Sequence, residues 1–281
     1  MRYQSVLDLT DINLNKGFAM IHLKTTPILF AIFLFLAFNT SHTWAASTSE
    51  DNWQFNLAPF YLWGINIAGD MAVGTDKIPG GSPLSKPVDI PFDDIFDAME
   101  GAFIVHFETM YKNNWGLLID VDYLDLGNSF TNNQGVDLKV DLEVTLAEVA
   151  GLYRITRNDH NFDAVFGFRG YMLDPGVTLS NGPKVVDKSQ EWIDPFLGGR
   201  WLWNFAEKWS VIARGDIGGF GLGSDLSWQL AGLVEWQPFK YASFLAGYRA
   251  LDVKYETGSG NDYFKFDATI HGPILGINFK W

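Results

Sequence analysis

From Trp53 onward, side-chain character alternates with a period of two, and this feature restricts the fold more than any other. Along residues 103–111 and 115–123, apolar and aromatic side chains alternate with a second set that carries charge. Successive side chains of a β-strand point to opposite faces of the sheet, so the pattern predicts two-faced strands. A soluble sandwich would present a polar outer face, whereas an apolar outer face with a polar interior is typical of a transmembrane barrel. Closure is expected, because an open sheet edge in hydrocarbon leaves backbone groups unpaired.

The pattern predicts an all-β, antiparallel, up-and-down transmembrane β-barrel of about ten strands, with eight or twelve as alternatives. Asn113 and Asn114 separate two adjacent strands as a two-residue hairpin. In a long strand over residues 136–155, the apolar phase changes near Ala147 and Glu148, which predicts a β-bulge. The predicted strands cover residues 53–63, 102–111, 115–123, 136–155, 162–174, 192–204, 209–221, 226–237, 242–255 and 263–281.

Short and long connections alternate, as expected for periplasmic turns and external loops. The longest connection, residues 64–100, is predicted to be the first external loop of a barrel that occupies residues 46–281. Within it, Asp93–Met99 is expected to form a short helical turn that either plugs the barrel mouth or acts as a lid.

Residues 1–45 have the pattern of a secretory signal peptide, with a short cationic start, an apolar run and small residues at the end. Met20 is a candidate for the true start, because the signal pattern begins there. The apolar run from Pro27 to Phe38 is shorter than the roughly 20 residues that a membrane-spanning helix needs. The sequence therefore predicts export to the outer membrane.

Aromatic residues near predicted strand ends are expected to form interfacial girdles. They are Tyr61, Trp63, Trp115, Tyr153, Trp201, Trp203, Trp209 and Trp236. The final strand ends in Trp281, with Phe279, Ile277 and Leu275 at alternate positions. Such a terminal pattern resembles the signal by which the barrel-assembly machinery recognises its clients.

The composition excludes several kinds of site and partner. The chain has no cysteine, which argues against disulfides, thiolate metal sites and a cysteine nucleophile. A net charge of −13 argues against nucleic acid as a partner. The acidic segment from Asp89 to Glu100 lacks calcium-loop spacing, so no metal or cofactor is predicted. The expected surroundings are outer-membrane lipid and lipopolysaccharide, and the expected state is a monomer.

Several segments resemble a large group of uncharacterised bacterial outer-membrane β-barrel proteins, loosely similar to OmpA-like and OmpW-like small barrels. They are residues 53–63, 194–200, 215–224, 247–249 and 272–276. The resemblance implies a small outer-membrane barrel and brings no activity with it.

The polar face of the strands carries a set of charges that should meet inside the lumen. They are Glu108, Asp120, Asp122, Arg169, Asp194, Arg200, Arg214, Asp216, Glu235 and Arg249. One interpretation is a network of ion pairs that fills the narrow bore. The other is a lining of opposed charges that sets the selectivity of a pore.

Catalysis has weaker support. Beyond the predicted signal peptide the chain has three histidines, His106, His160 and His271, and no serine stands in a nucleophile-like context. The glycine-rich stretch 218–224 lacks the strand–turn–helix context of a phosphate loop. The sequence predicts a non-enzymatic, porin-like or structural barrel with a charged and largely filled lumen. The alternatives are a ligand-binding or adhesion barrel that acts through acidic external loops and an outer-membrane hydrolase.

Overall fold

A computed structural model describes residues 52–74, 84–131, 137–179, 184–187 and 189–281. The predicted signal peptide, including Met20, lies outside these ranges.

Nearly all of the described chain is β-strand. In chain order the strands are β1 (Trp53–Trp63), β2 (Asn66–Val73), β3 (Leu84–Ile90), β4 (Met99–Tyr111), β5 (Trp115–Thr131), β6 (Asp137–Arg157), β7 (His160–Leu179), β8 (Lys184–Asp187), β9 (Gln190–Ala206), β10 (Trp209–Gly218), β11 (Leu226–Trp236), β12 (Ala242–Thr257) and β13 (Phe264–Lys280). A short α-helix, α1 (Phe92–Ala98), precedes β4, and a 3₁₀ helix spans Gly260–Asp262.

Ten of these strands form a closed antiparallel wall. The order is β1, β4, β5, β6, β7, β9, β10, β11, β12 and β13, and pairing of β13 with β1 closes the ring. β2 adds to the outer part of β13, β3 pairs with β2, and β8 pairs with β7. The predicted all-β, up-and-down barrel of about ten strands is confirmed.

The outer surface of the wall carries a band of exposed apolar side chains. Val149, Ile155, Phe168, Leu197 and Leu230 are each between 50% and 62% exposed. In water this band would be unfavourable, whereas in hydrocarbon it is the surface that a closed barrel requires. The chain is an outer-membrane β-barrel protein. Among the described residues, no helix is long and apolar enough to cross a bilayer.

The polarity of the two faces reverses along the longer strands, as β6 illustrates. In the half nearer the short β6–β7 turn, on the side predicted to be periplasmic, Val149 and Ile155 point outward and Glu148 points into the lumen. In its external half, the outward positions hold Glu143 and Asp141, and the inward positions hold apolar side chains. Its 21 residues span about 70 Å, about twice what a strand needs to cross the bilayer. The external half therefore projects into water around an apolar interior.

The predicted bulge in β6 is wrong, and a bulge occurs in β1 instead. β6 pairs with β5 and β7 without a register shift past Ala147 and Glu148. What changes there is the chemistry of the inward face, not its phase. In β1, the register with β13 shifts between Leu57 and Phe60, next to Pro59. A proline is tolerated at such an irregularity because the ladder already lacks a donor there.

The β1 bulge also corrects part of the predicted aromatic girdle. It moves Tyr61 and Trp63 onto the inward face, where they are 8% and 7% exposed, so neither belongs to a lipid-facing girdle. The periplasmic girdle itself is present. It includes Trp115 tilted against Tyr153, with ring centroids 4.8 Å apart, and Trp209 stacked on Trp236 at 5.9 Å.

The first predicted hairpin turn is one residue longer than the sequence suggested. Tyr111 pairs with Trp115, so the turn is Lys112–Asn114. Lys112 and Asn113 have φ angles of 50° and 56°, whereas Asn114 is not in the left-handed region.

Residues 64–100, expected as the first external loop, contain β2, β3 and α1. The helix α1 starts one residue before the predicted helical turn. Ile95 points inward and is 1% exposed, while the next residue, Phe96, is 61% exposed. α1 therefore stands in the side wall of the barrel and does not enter the bore.

Candidate functional site: a charge belt beneath an apolar chamber

A layer of buried charged side chains crosses the lumen, and we call it the charge belt. Its members are Glu108, Asp120, Asp122, Glu148, Arg154, Asp163, Arg169, Arg200, Arg214, Asp216 and Arg249. Strand alternation places them all on inward positions. Buried charges of this kind are tolerated only when they are paired and hydrogen-bonded.

Two ion pairs in the belt join strands on nearly opposite sides of the barrel. Arg200 on β9 donates to both oxygens of Glu108 on β4, at 2.5 and 2.9 Å. Arg249 on β12 donates to Asp122 on β5 at 3.0 Å. In the ring order, four steps separate the strands of each pair. The guanidinium groups therefore occupy the centre of the lumen.

A second group of belt contacts, centred on Arg169 and Arg214, joins β6, β7 and β10. Arg169 donates to Glu148 at 2.9 Å and to Asp216 at 2.8 Å. Arg214 lies 2.6 Å from Glu148 and 2.8 Å from Asp216, so two arginines share two carboxylates. The Arg169 guanidinium group lies over the Phe196 ring, with its carbon 4.7 Å from the ring centroid.

Eight of the ten sequence-predicted lumen charges lie in the belt, and two lie elsewhere. Asp194 is buried near the external end, where it accepts from the Ser224 backbone N–H at 2.6 Å and from the Ser227 hydroxyl at 2.8 Å. It therefore holds the β10–β11 connection against β9. Glu235 pairs with Lys280 at 2.6 Å near the periplasmic end.

Sequence reasoning missed three members of the belt. Glu148 was not assigned to the lumen because the predicted bulge would interrupt the alternation there. In the structure it points inward, two residues after the inward Leu146. Arg154 and Asp163 lie near the β6–β7 turn, where their side chains bond at 2.7 and 2.9 Å. Counting alternate positions back from the turn would have placed both on the inward face.

The three histidines lie in separate places. His106 bonds Asp120 at 2.8 Å in the lumen, and its ring stacks on Tyr61. His160 lies at the periplasmic end and accepts from the Trp201 indole N–H at 3.2 Å. His271 is bonded to Tyr248 on the outer face at 2.6 Å. Among the described residues, no three acidic or histidine side chains form a metal-binding group. The expectation of a non-enzymatic barrel stays a prediction.

Above the belt, the external half of the barrel encloses an apolar chamber of about 680 Å³. Its walls include Ile67, Leu142, Val144, Leu173 and Ile270 from four different strands. Trp63 lies at the floor, where the Arg249 guanidinium carbon is 4.4 Å from the indole ring. On the other side of the belt, a smaller cavity of about 280 Å³ is lined by the polar side chains of Gln54, Asn204 and Ser210 and by six members of the belt itself, Glu108, Asp120, Arg154, Arg200, Arg214 and Arg249. The belt thus separates an apolar space from a polar one.

Comparison with known proteins shows similarity of fold. No family model and no curated protein matches the chain. Among solved structures, the outer membrane protease OmpT from Escherichia coli is 8% identical, with 84% of this chain and 99% of that chain covered and a TM-score of 0.47. Ail, the attachment invasion locus protein of Yersinia pestis, is 10% identical (82% and 99% covered, TM-score 0.35). The transport unit of the autotransporter AIDA-I from Escherichia coli is also 10% identical (89% and 97% covered, TM-score 0.43). These resemblances assign no activity.

Proposed function

We propose that this outer-membrane barrel binds an apolar small molecule in the chamber, above a charge belt that closes the lumen to ions. The observation that carries the proposal is the chamber itself. Its volume of about 680 Å³ falls in the range of small-molecule pockets, and its walls are formed almost entirely by hydrophobic side chains. An apolar ligand gains free energy there by leaving water.

The belt supports the structural interpretation of the lumen charges over the pore interpretation. Arg169 and Asp216 are 1% and 7% exposed, and Arg200 and Arg249 span the bore. A conducting pore needs charged groups that face continuous water. Here the guanidinium and carboxylate groups pair with one another across the bore, and the six that also line the smaller cavity meet it on one side of the belt only.

The adhesion and hydrolase alternatives receive less support. The adhesion hypothesis depends on external loops, of which residues 75–83, 132–136 and 180–183 fall outside the described ranges. The hydrolase hypothesis depends on histidines that the fold places apart, and His106 is enclosed by the carboxylates of Asp120 and Glu108.

The test uses isoleucine methyl groups as reporters in lipid nanodiscs. Protein labelled at isoleucine methyls is titrated with N-phenyl-1-naphthylamine and followed by NMR. Ile67 and Ile270 line the chamber, while Ile155 and Ile193 are 59% and 61% exposed on the outer face. We expect saturable shifts at the first pair only, because the probe partitions into lipid without a defined site near the second pair.

A matched pair of variants on one strand controls for indirect effects. Val144 lines the chamber, and Val149, five residues later on β6, faces lipid. Val144→Phe should weaken probe binding by filling part of the chamber, whereas Val149→Phe should leave it unchanged. Equal shifts at chamber and lipid-facing isoleucines, or equal affinity in both variants, would refute the proposal.

A further inference from the structure

We infer that the chamber receives its ligand sideways from the membrane, as the acyl chain of an outer-leaflet lipid, through a slot in the barrel wall beneath α1. This inference rests on the proposed function, because it names the occupant of the same chamber and its route.

The slot begins where the β1–β4 ladder ends. That ladder runs from Trp53 paired with Tyr111 to Ala58 paired with His106. The β1 bulge follows at Pro59, and β1 then continues in register with β13 only. β4 extends seven residues above His106 to Met99, paired with β5. Over this length, no ladder among the described residues joins β4 to β1 or β3.

The helix α1 covers the upper part of the slot. Its first backbone N–H, on Phe92, donates to the Asn66 side-chain oxygen at 2.9 Å, and the Asn66 amide donates to the His271 carbonyl at 3.1 Å. The Phe92 ring lies against Gly64, where an added Cβ would be 3.2 Å away. α1 is therefore fixed on its β2 side, and the wall below it lacks a strand pairing.

The cavity lining shows that the chamber reaches the outer surface at this place. It includes inward side chains such as Ile104, and also Leu62 and Leu275, which are 62% and 60% exposed on the outer face. Leu62 and Leu275 are cross-strand partners on β1 and β13, within the apolar band. Phe96 of α1, 61% exposed, borders the same opening.

These contacts favour an acyl chain over a whole lipid or a polar solute. The path from Leu62 past Ala102 to Leu142 has hydrophobic walls, so a hydrocarbon chain moves along it without losing apolar surroundings. A phosphate headgroup would lose hydration without gaining a partner there, and it stays at the membrane surface. The acidic side chains of Asp93 and Asp94 on α1 also disfavour entry of an anionic headgroup.

The experiment locates the chain end directly. The refolded protein is placed in phosphatidylcholine vesicles that contain a phosphatidylcholine with a photoactivatable diazirine at the end of one acyl chain. After irradiation, adducts are mapped by mass spectrometry of peptides. We expect adducts on the inward positions Leu142, Val144 and Leu173, in addition to those on the lipid-facing band.

Two tryptophan variants test the route. Ala102 is an exposed inward position of β4 at the slot, and Ala246 is an exposed lipid-facing position of β12. Ala102→Trp should abolish the inward adducts and keep the outer ones, while Ala246→Trp should keep both. Heat-dependent gel mobility verifies that each variant folds. The adduct map of the unaltered protein tests the inference even if a variant does not fold.

The other possible results of these experiments refute the route, the identity of the ligand or the proposed function itself. Inward adducts that persist in Ala102→Trp refute the slot as the route. Adducts confined to the outer face, together with saturable methyl shifts from N-phenyl-1-naphthylamine, refute the lipid chain but leave the proposed function intact. Absence of both the shifts and the inward adducts refutes the proposed function as well.

Discussion

Replacing Arg200 by alanine tests whether the charge belt is a dry structural plug. Arg200 donates twice to Asp163, at 2.9 and 2.6 Å, and twice to Glu108. After the substitution, Asp163 keeps its two bonds from Arg154. Glu108 keeps only more distant partners, Arg154 at 4.0 Å and His106 at 3.8 Å.

The expected loss of stability follows from leaving the Glu108 carboxylate without a close partner. Removing one partner of a buried ion pair costs about 3–5 kcal/mol. Because Arg154 can move toward Glu108, we expect the lower end, a loss of about 3 kcal/mol in the free energy of unfolding. Replacing both Arg200 and Glu108 by leucine should restore stability to within about 1 kcal/mol, since no buried charge is then left alone.

The assay is reversible urea unfolding in lipid vesicles, followed by tryptophan fluorescence. The exposed pair Lys139–Asp141, at 2.7 Å with side chains 49% and 34% exposed, is the reference. Lys139→Ala should cost no more than about 1 kcal/mol. If Arg200→Ala costs as little as Lys139→Ala, the belt is hydrated and the plug argument fails.

Three further outcomes are expected. In planar bilayers the unaltered protein should be silent, and the double variant Arg200→Ala, Arg249→Ala should show discrete conductance steps; steps from the unaltered protein would contradict the closed lumen. Asn66→Ala should accelerate amide exchange at Phe92 and lower unfolding free energy by about 1 kcal/mol, because the Phe92 N–H loses its acceptor; unchanged exchange would mean that α1 is held otherwise. Lys112→Gly should raise unfolding free energy by about 1 kcal/mol by relieving a left-handed backbone, and a loss in urea unfolding would count against it.

The barrel was predictable because alternation is a local property. Each strand records its two faces in its own residues, and the apolar outer face at Val149 or Phe168 needs no tertiary information. Short turns such as 158–159 and 207–208 fix which neighbours pair. These local signals predict an up-and-down ring of about ten strands, with eight and twelve left as alternatives.

The bulge wrongly predicted in β6 and the unpredicted bulge in β1 show where local patterns mislead. Between Leu146 and Glu148, the inward side chains of β6 change from apolar residues of the chamber to charged residues of the belt. In the sequence, this change of chemistry along one face looks like an exchange of the inward and outward positions. In β1, aromatic residues occur both before and after Pro59. The sequence pattern therefore gives no sign that the inward and outward positions exchange there.

The chamber and slot could not be predicted from sequence. Their existence depends on how far the strands rise above the membrane and on the side of β13 that β2 occupies. The inward apolar positions, such as Leu142 and Leu173, are read correctly as strand residues, but their enclosure is a property of the assembled ring.

The two cross-lumen bridges also bear on how the ring closes. In the belt, strands β4–β7 contribute five carboxylates and two arginines, whereas β9–β12 contribute three arginines and one carboxylate. Arg249 and Asp122 are 127 residues apart in sequence, so local hairpins cannot match them. During assembly, the belt positions are net negative in one half of the unclosed sheet and net positive in the other. Their attraction favours curling toward closure and penalises a ring that closes with a strand missing.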